Sequence, residues 1–126
     1  MPSQKSVLLV DDDESLLEAL QLIVENLTKY TALTAKSMRE VQSLGPKALT
    51  CDLALLDINL GHDQPSGINI YHWLRSNGFS KPIAYLTGHA RTHPLVEQAL
   101  RSGDVKVFSK PLEVNEIVKI LQNEFL

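Results

Sequence analysis

Five short apolar runs are spaced along this chain, and a stretch of helical periodicity follows each one. The runs cover residues 7–10, 30–35, 53–56, 82–86 and 105–109. They are too short for helices and show little polar alternation, which is the mark of strands buried on both faces. Strands of that kind lie parallel, and parallel neighbours need a long crossover that is usually a helix. The pattern therefore predicts an α/β fold, (βα)5, with one doubly wound five-stranded parallel sheet covered by helices on both sides.

The intervening stretches support that reading. Leu16, Leu20, Ile23, Val24 and Leu27 recur at helical spacing, and Asp13 stands where an N-cap belongs. Ser37-Met38-Arg39-Glu40 fits a capping box and opens a second helix, which Gly45-Pro46 is expected to stop. A polar loop with Gly61, Pro65 and Gly67 precedes a third helical face of Ile68, Tyr71 and Leu74, ended by Asn77-Gly78. Pro94 suits a first helical turn, and Leu95, Ala99 and Leu100 continue that helix to Gly103. Val114, Ile117, Val118, Leu121 and Phe125 mark a closing helix.

Bulk properties narrow the function classes. A chain of 126 residues with 44% hydrophobic and 21% charged residues suits one domain, expected over residues 1–126. The net charge is −3 and basic residues do not cluster, which argues against direct nucleic-acid binding. Cys51 is alone, so no internal disulfide can form, and a buried packing role in a reducing compartment is expected. Neither a signal peptide nor a membrane-length apolar run is present, so a cytoplasmic location without membrane contact is expected.

The informative chemistry lies at the ends of the runs. The first finishes in Asp11-Asp12-Asp13 and the third in Asp57. Thr87 follows the fourth and Lys110 the fifth. In open α/β sheets, ligands sit outside the carboxyl ends of the strands. Asp11, Asp12, Asp57, Thr87 and Lys110 are thus predicted to converge at one edge. Two unit charges about 4 Å apart repel by roughly 4 kcal/mol at an effective dielectric of about 20, so clustered carboxylates call for a hard divalent cation. With a cation bound, one carboxylate can act as a nucleophile. A hydroxyl and an ammonium can then hold two oxygens of a transferred phosphoryl group.

Four motifs in order carry a family resemblance over essentially the whole length. They are Val10-Asp11-Asp12, Leu55-Leu56-Asp57-Ile58-Asn59-Leu60, Leu86-Thr87-Gly88 and Ser109-Lys110-Pro111. The chain resembles the receiver domain of two-component response regulators, of the chemotaxis-regulator type. The resemblance implies the flavodoxin-like strand order 2-1-3-4-5. It implies that Asp57 is the phosphoacceptor and that Thr87 and Lys110 contact the phosphoryl group. It further implies that Asp12, Asp57 and the Asn59 carbonyl ligate Mg²⁺ or Mn²⁺ directly, with Asp11 acting through water. The implied phosphodonor is a histidine kinase, a phosphotransfer protein, or a small donor such as acetyl phosphate. The implied output is a downstream effector protein or domain. It would read the surface made by the fourth helix, fifth strand and fifth helix of the (βα)5 plan. Such a domain assists its own dephosphorylation without being a conventional enzyme.

Two other classes compete. A pseudo-receiver would keep the fold as a phosphorylation-independent interaction module. A metal-dependent phosphohydrolase of the aspartyl-phosphate type would carry a second Asp two residues after the nucleophile, where this chain has Asn59.

The chain departs from the pattern of the family it resembles in two places. The loop after Asp57 has Gly61 where most relatives have Pro, and it reaches Gly67 about two residues later than they do. On the fifth strand, the family's aromatic three residues before the lysine is replaced by Val107, and Phe108 comes one residue later. Strand residues alternate faces, so Phe108 is expected to point away from Val107 unless a bulge intervenes. His62, His72, His89 and His93 lack metal-ligand spacing. His89 would stand at the rim of the site, where the resemblance implies an influence on water access to the acyl phosphate. Trp73 is expected to be partly buried for packing.

Overall fold

The computed structural model describes residues 5–60, 65–88, 94–101, 105–110 and 112–124. Expectations for Gly61, His62, His89, His93, Gly103, Pro111, Phe125 and the Leu95 side chain lie outside the described residues. The strands are β1 (Lys5–Val10), β2 (Tyr30–Ala35), β3 (Leu53–Asp57), β4 (Ile83–Thr87) and β5 (Val105–Ser109). They form one parallel sheet in the order β2-β1-β3-β4-β5, as expected.

The first three helices begin for legible local reasons. The helix α1 (Glu14–Leu27) is capped by Asp13, whose carboxylate accepts the Leu16 N–H at 3.1 Å. Ser37 caps α2 (Met38–Leu44) by accepting the Glu40 N–H. Glu40 does not close the box on Ser37, because its carboxylate takes the Lys36 N–H instead. Gly45, at φ 56°, ends α2 in a conformation that suits glycine. The chain then restarts at once as α3 (Pro46–Leu49), with Pro at the first position. The expected stop is thus a break between two helices, since a proline that cannot continue a helix can still open one. The remaining helices are α4 (Gly67–Ser76), α5 (Pro94–Leu100) and α6 (Val114–Lys119), and α6 runs into a π-turn at Ile120–Glu124.

Strand alternation divides the core in two. Leu8, Val10, Ala54, Leu56, Ile83 and Tyr85 face α2, α3, α4 and α5. Val7, Leu9, Leu53, Leu55, Ala84 and Leu86 face α1 and α6. Burying each large side chain contributes about 1.5–3 kcal/mol, so the two layers together hold the sheet against its helices. Phe108 packs on the α1 and α6 side while Val107 packs on the other. The β4–β5 register is unbroken from Ile83↔Val105 to Thr87↔Ser109, so no bulge carries Phe108 across. Trp73, on α4, is half-buried against the core layer that holds Leu8, Leu56 and Tyr85. Cys51 is buried just before β3, and burial raises its thiol above the ordinary range. Among the described residues, no helix is long and apolar enough to cross a membrane.

Candidate functional site

Register alone assembles the site. Val10 pairs with Leu56, so Asp11 and Asp57 leave neighbouring strands side by side. Asp57 pairs with Leu86, and Thr87 pairs with Ser109. The Lys110 N–H then donates to the Thr87 carbonyl at 2.7 Å, which ties the ends of β4 and β5 together. Asp11, Asp57, Thr87 and Lys110 therefore sit on one edge of the sheet, and Asp12, next to buried Asp11, is exposed to solvent.

The carboxylates do converge. Oxygens of Asp11, Asp12 and Asp57 lie within 4.8 Å of one another. Asp11 and Asp57 are buried and Asp12 is exposed, which leaves the cluster open on one side. Lys110 joins them: its Nζ donates to Asp11 Oδ2 at 2.5 Å and lies 3.4 Å from Asp57 Oδ2. The first partner of Lys110 is thus Asp11 and not Asp57. Sequence could not show this, because the choice depends on strand spacing 99 residues apart. Lys110 lines an apolar hollow of about 160 Å³ together with Leu16, Leu20, Leu86 and Leu112. Thr87 is buried at the end of β4.

Burial dominates the electrostatics. Desolvation, followed by the negative charge of Asp11, pushes the Asp57 carboxyl up to about 6, while Lys110 and the Asn59 N–H pull the other way. That N–H donates to Asp57 Oδ1 at 3.3 Å. Burial alone would lower the Lys110 ammonium. The bond to Asp11 and the charges of Asp57 and Asp11 outweigh it and hold the ammonium above its ordinary value. A lysine held protonated between two carboxylates is a fixed positive charge beside Asp57.

Backbone on the far side of Asp57 is set by α4. The Gly67 N–H donates to the Ile58 carbonyl at 2.8 Å. A Cβ placed on Gly67 would lie 2.2 Å from the Asp57 carbonyl oxygen. Only glycine lets the helix come this close. The start of α4 is a capping box that the sequence pattern did not announce: Ser66 accepts from the Ile68 N–H, and Asn69 accepts from the Ser66 N–H at 2.8 Å. Its signal, Ser66-x-x-Asn69, was present but carries Asn where Glu or Gln is the usual partner.

An all-oxygen donor set with one open side fits a hard divalent cation such as Mg²⁺ or Mn²⁺. Asp12→Ala is expected to raise the metal-free melting temperature slightly, by about 1–3 °C, because it thins the cluster. A thermal scan in chelator checks this. A clear fall would contradict mutual repulsion.

Residues 7–122 match the family described as the response regulator receiver domain. This chain belongs to that family. Among curated relatives, the response regulator protein TmoT of Ectopseudomonas mendocina is 27% identical over 119 residues, covering 94% of this chain and 52% of TmoT. The chain therefore spans about half the length of the curated relatives it matches. Among solved structures, the chemotaxis protein CheY4 of Vibrio cholerae superposes with a TM-score of 0.82 at 25% identity, covering 98% of this chain and all of CheY4. A response regulator from Burkholderia pseudomallei, solved with a phosphorylated aspartic acid, calcium ion and citrate, gives 0.75 at 28% identity. It covers 94% of this chain and 67% of that one. The family is the one that the strand-end motifs resembled, the receiver domain of two-component response regulators.

Proposed function

We propose that residues 1–126 form one receiver domain, that Asp57 is its phosphoacceptor, and that the pocket of Asp11, Asp12, Asp57, Thr87 and Lys110 makes it so. The observation that carries this reading is the triple meeting of Asp11, Asp57 and Lys110, from three strand ends, beside exposed Asp12.

A carboxylate oxygen of Asp57 attacks phosphorus in line. A P–O bond forms as the donor's P–N bond (a phosphohistidine) or P–O bond (an acyl phosphate) breaks. The leaving imidazole or carboxylate departs with the bonding pair. Lys110 offers its ammonium to one phosphoryl oxygen and Thr87 its hydroxyl to another. The Asn59 N–H steadies the carboxylate from behind. Asp11, Asp12, Asp57 and the Asn59 carbonyl would hold Mg²⁺ or Mn²⁺, which supplies charge neutralisation for the transferring oxygens. Hydrolysis by water later restores the carboxylate. The domain acts once per phosphoryl group received and is not a conventional enzyme.

Phosphorylation then shifts an equilibrium between two conformations. The donor is a histidine kinase or phosphotransfer protein, and the reader is an effector protein or domain on the α5, β5 and α6 face. The setting is the cytoplasm, without direct contact to nucleic acid or membrane.

The test is incubation with acetyl phosphate and Mg²⁺ followed by intact mass. The wild type is expected to gain one phosphoryl group, and to lose the gain in chelator and in Asp57→Ala. An equal gain in Asp57→Ala would move the acceptor elsewhere. No gain together with no beryllofluoride binding would leave a pseudo-receiver.

A further inference from the structure

Helix α4 touches the candidate site twice. Its first residue, Gly67, lies against the Asp57 carbonyl. Its middle is reached through aromatic rings. Tyr85 lies two residues before Thr87 on β4, so both side chains leave the strand on the α4 side. Tyr85 is fully buried, and its ring lies 6.2 Å from that of Tyr71 on α4. The guanidinium of Arg75 covers the Tyr71 ring at 5.3 Å. Arg75 Nη1 also donates to the carbonyls of Phe79 and Lys81, both at 2.8 Å, and so ties the end of α4 to the segment leading into β4. Across the sheet from Tyr85, in register, stands Val107, a small and only partly buried side chain on the edge strand.

We infer that the loaded state of the site is passed to α4 through the Tyr85–Tyr71 ring contact, making the α4 flank with Trp73 a responsive face. This deepens the phosphoacceptor reading and rests on it. A hydroxyl drawn onto a phosphoryl oxygen shifts the end of β4, and Tyr85 is the next side chain along β4 on the same face. A close-packed ring cannot deform, so it moves its neighbour instead. Rings in tilted contact, with a cation over the second, transmit that movement as one body. Val107 is too short to act as a lever on the β5 side.

The test titrates the chain with beryllofluoride in the presence of Mg²⁺ and reads two signals. Fluorine NMR reports occupancy of the site, and emission of Trp73, the single tryptophan, reports α4. In the wild type both are expected to change with one midpoint. In Tyr85→Leu and Tyr71→Leu, binding should persist within about fivefold, the low end of ordinary coupling between sites, while the Trp73 change is lost. Tyr85→Phe, which keeps the ring, should restore it, and Val107→Ala should leave it intact. Tyr71 lies at the edge of the core, so Tyr71→Leu carries the test should Tyr85→Leu fail to fold. An unaltered Trp73 response in Tyr71→Leu, or its loss in Val107→Ala, would overturn the inference, as would wild-type binding with no Trp73 change. Absence of bound beryllofluoride in the wild type would instead overturn the phosphoacceptor reading, and this inference with it.

Discussion

Gly67→Ala is expected to lose more than about 3 kcal/mol of stability, because its methyl group would overlap backbone that cannot yield. The new Cβ would sit 2.2 Å from the Asp57 carbonyl oxygen and 3.1 Å from the Ile58 Cα. Relief requires α4 to back away, which breaks the Gly67 to Ile58 hydrogen bond and exposes Ile68, Ile70 and Leu74. For a domain of this size the melting temperature should fall by roughly 10–15 °C. Gly88→Ala is the control. A Cβ there meets nothing within 4 Å, so that variant should melt close to the wild type. Equal melting of Gly67→Ala and wild type would mean that α4 does not sit as closely on β3 as described. A folded but shifted Gly67→Ala protein should also phosphorylate poorly, since the displaced backbone is that of Asp57 itself.

Lys110→Met should be the next most damaging change. It keeps an apolar stem in the hollow lined by Leu16, Leu20, Leu86 and Leu112 but removes the charge. Two buried carboxylates, Asp11 and Asp57, are then left facing each other without a cation. The expected loss is about 2–4 kcal/mol at neutral pH in chelator, somewhat below the full cost of breaking a buried pair because Lys110 is partly exposed.

The pH dependence gives the prediction its sign. Asp57 titrates at about 6 in the folded chain, against 3.8 ordinarily, with burial the main cause. The folded state therefore holds this proton more tightly than the unfolded one. Between about pH 4 and 6, stability should rise as pH falls, since the costly ionised form is removed. Without Lys110 the Asp57 carboxyl should rise further, and the gain on acidification should be larger. Urea midpoints measured at mildly acidic and at neutral pH would show the gap between wild type and Lys110→Met narrowing in acid. A gap independent of pH would mean that the loss does not arise from the ionised Asp57 carboxylate.

The architecture was legible because each element had its own local signature. The runs at 30–35 and 105–109 coincide with β2 and β5, and the others differ by a residue or two at their ends. Asp57 and Thr87 are the last residues of β3 and β4 and do not lie just beyond them, because their backbone groups still pair with the neighbouring strand. The opposed faces of Val107 and Phe108 followed from strand periodicity alone. Convergence of the three aspartates with Lys110 was expected from the strand-end rule. Its internal wiring was not legible, since the bond from Lys110 to Asp11 joins residues whose separation is set by two intervening strands. The α2–α3 break was hidden for a different reason, since a Gly-Pro pair reads equally as an end and as a new beginning. The closeness of Gly67 to Asp57 is also invisible in sequence, where a loop glycine looks like any other.

Cys51 gives the molecule an internal gauge of its own breathing. Its sulfur is sealed at 1% exposure beside the entry to β3, and its thiol is harder to ionise than a free one. An alkylating reagent can reach it only during excursions that part the sheet's central strand from α3. The pace of its capture is therefore set by how often that seam opens and not by the chemistry of the thiol alone.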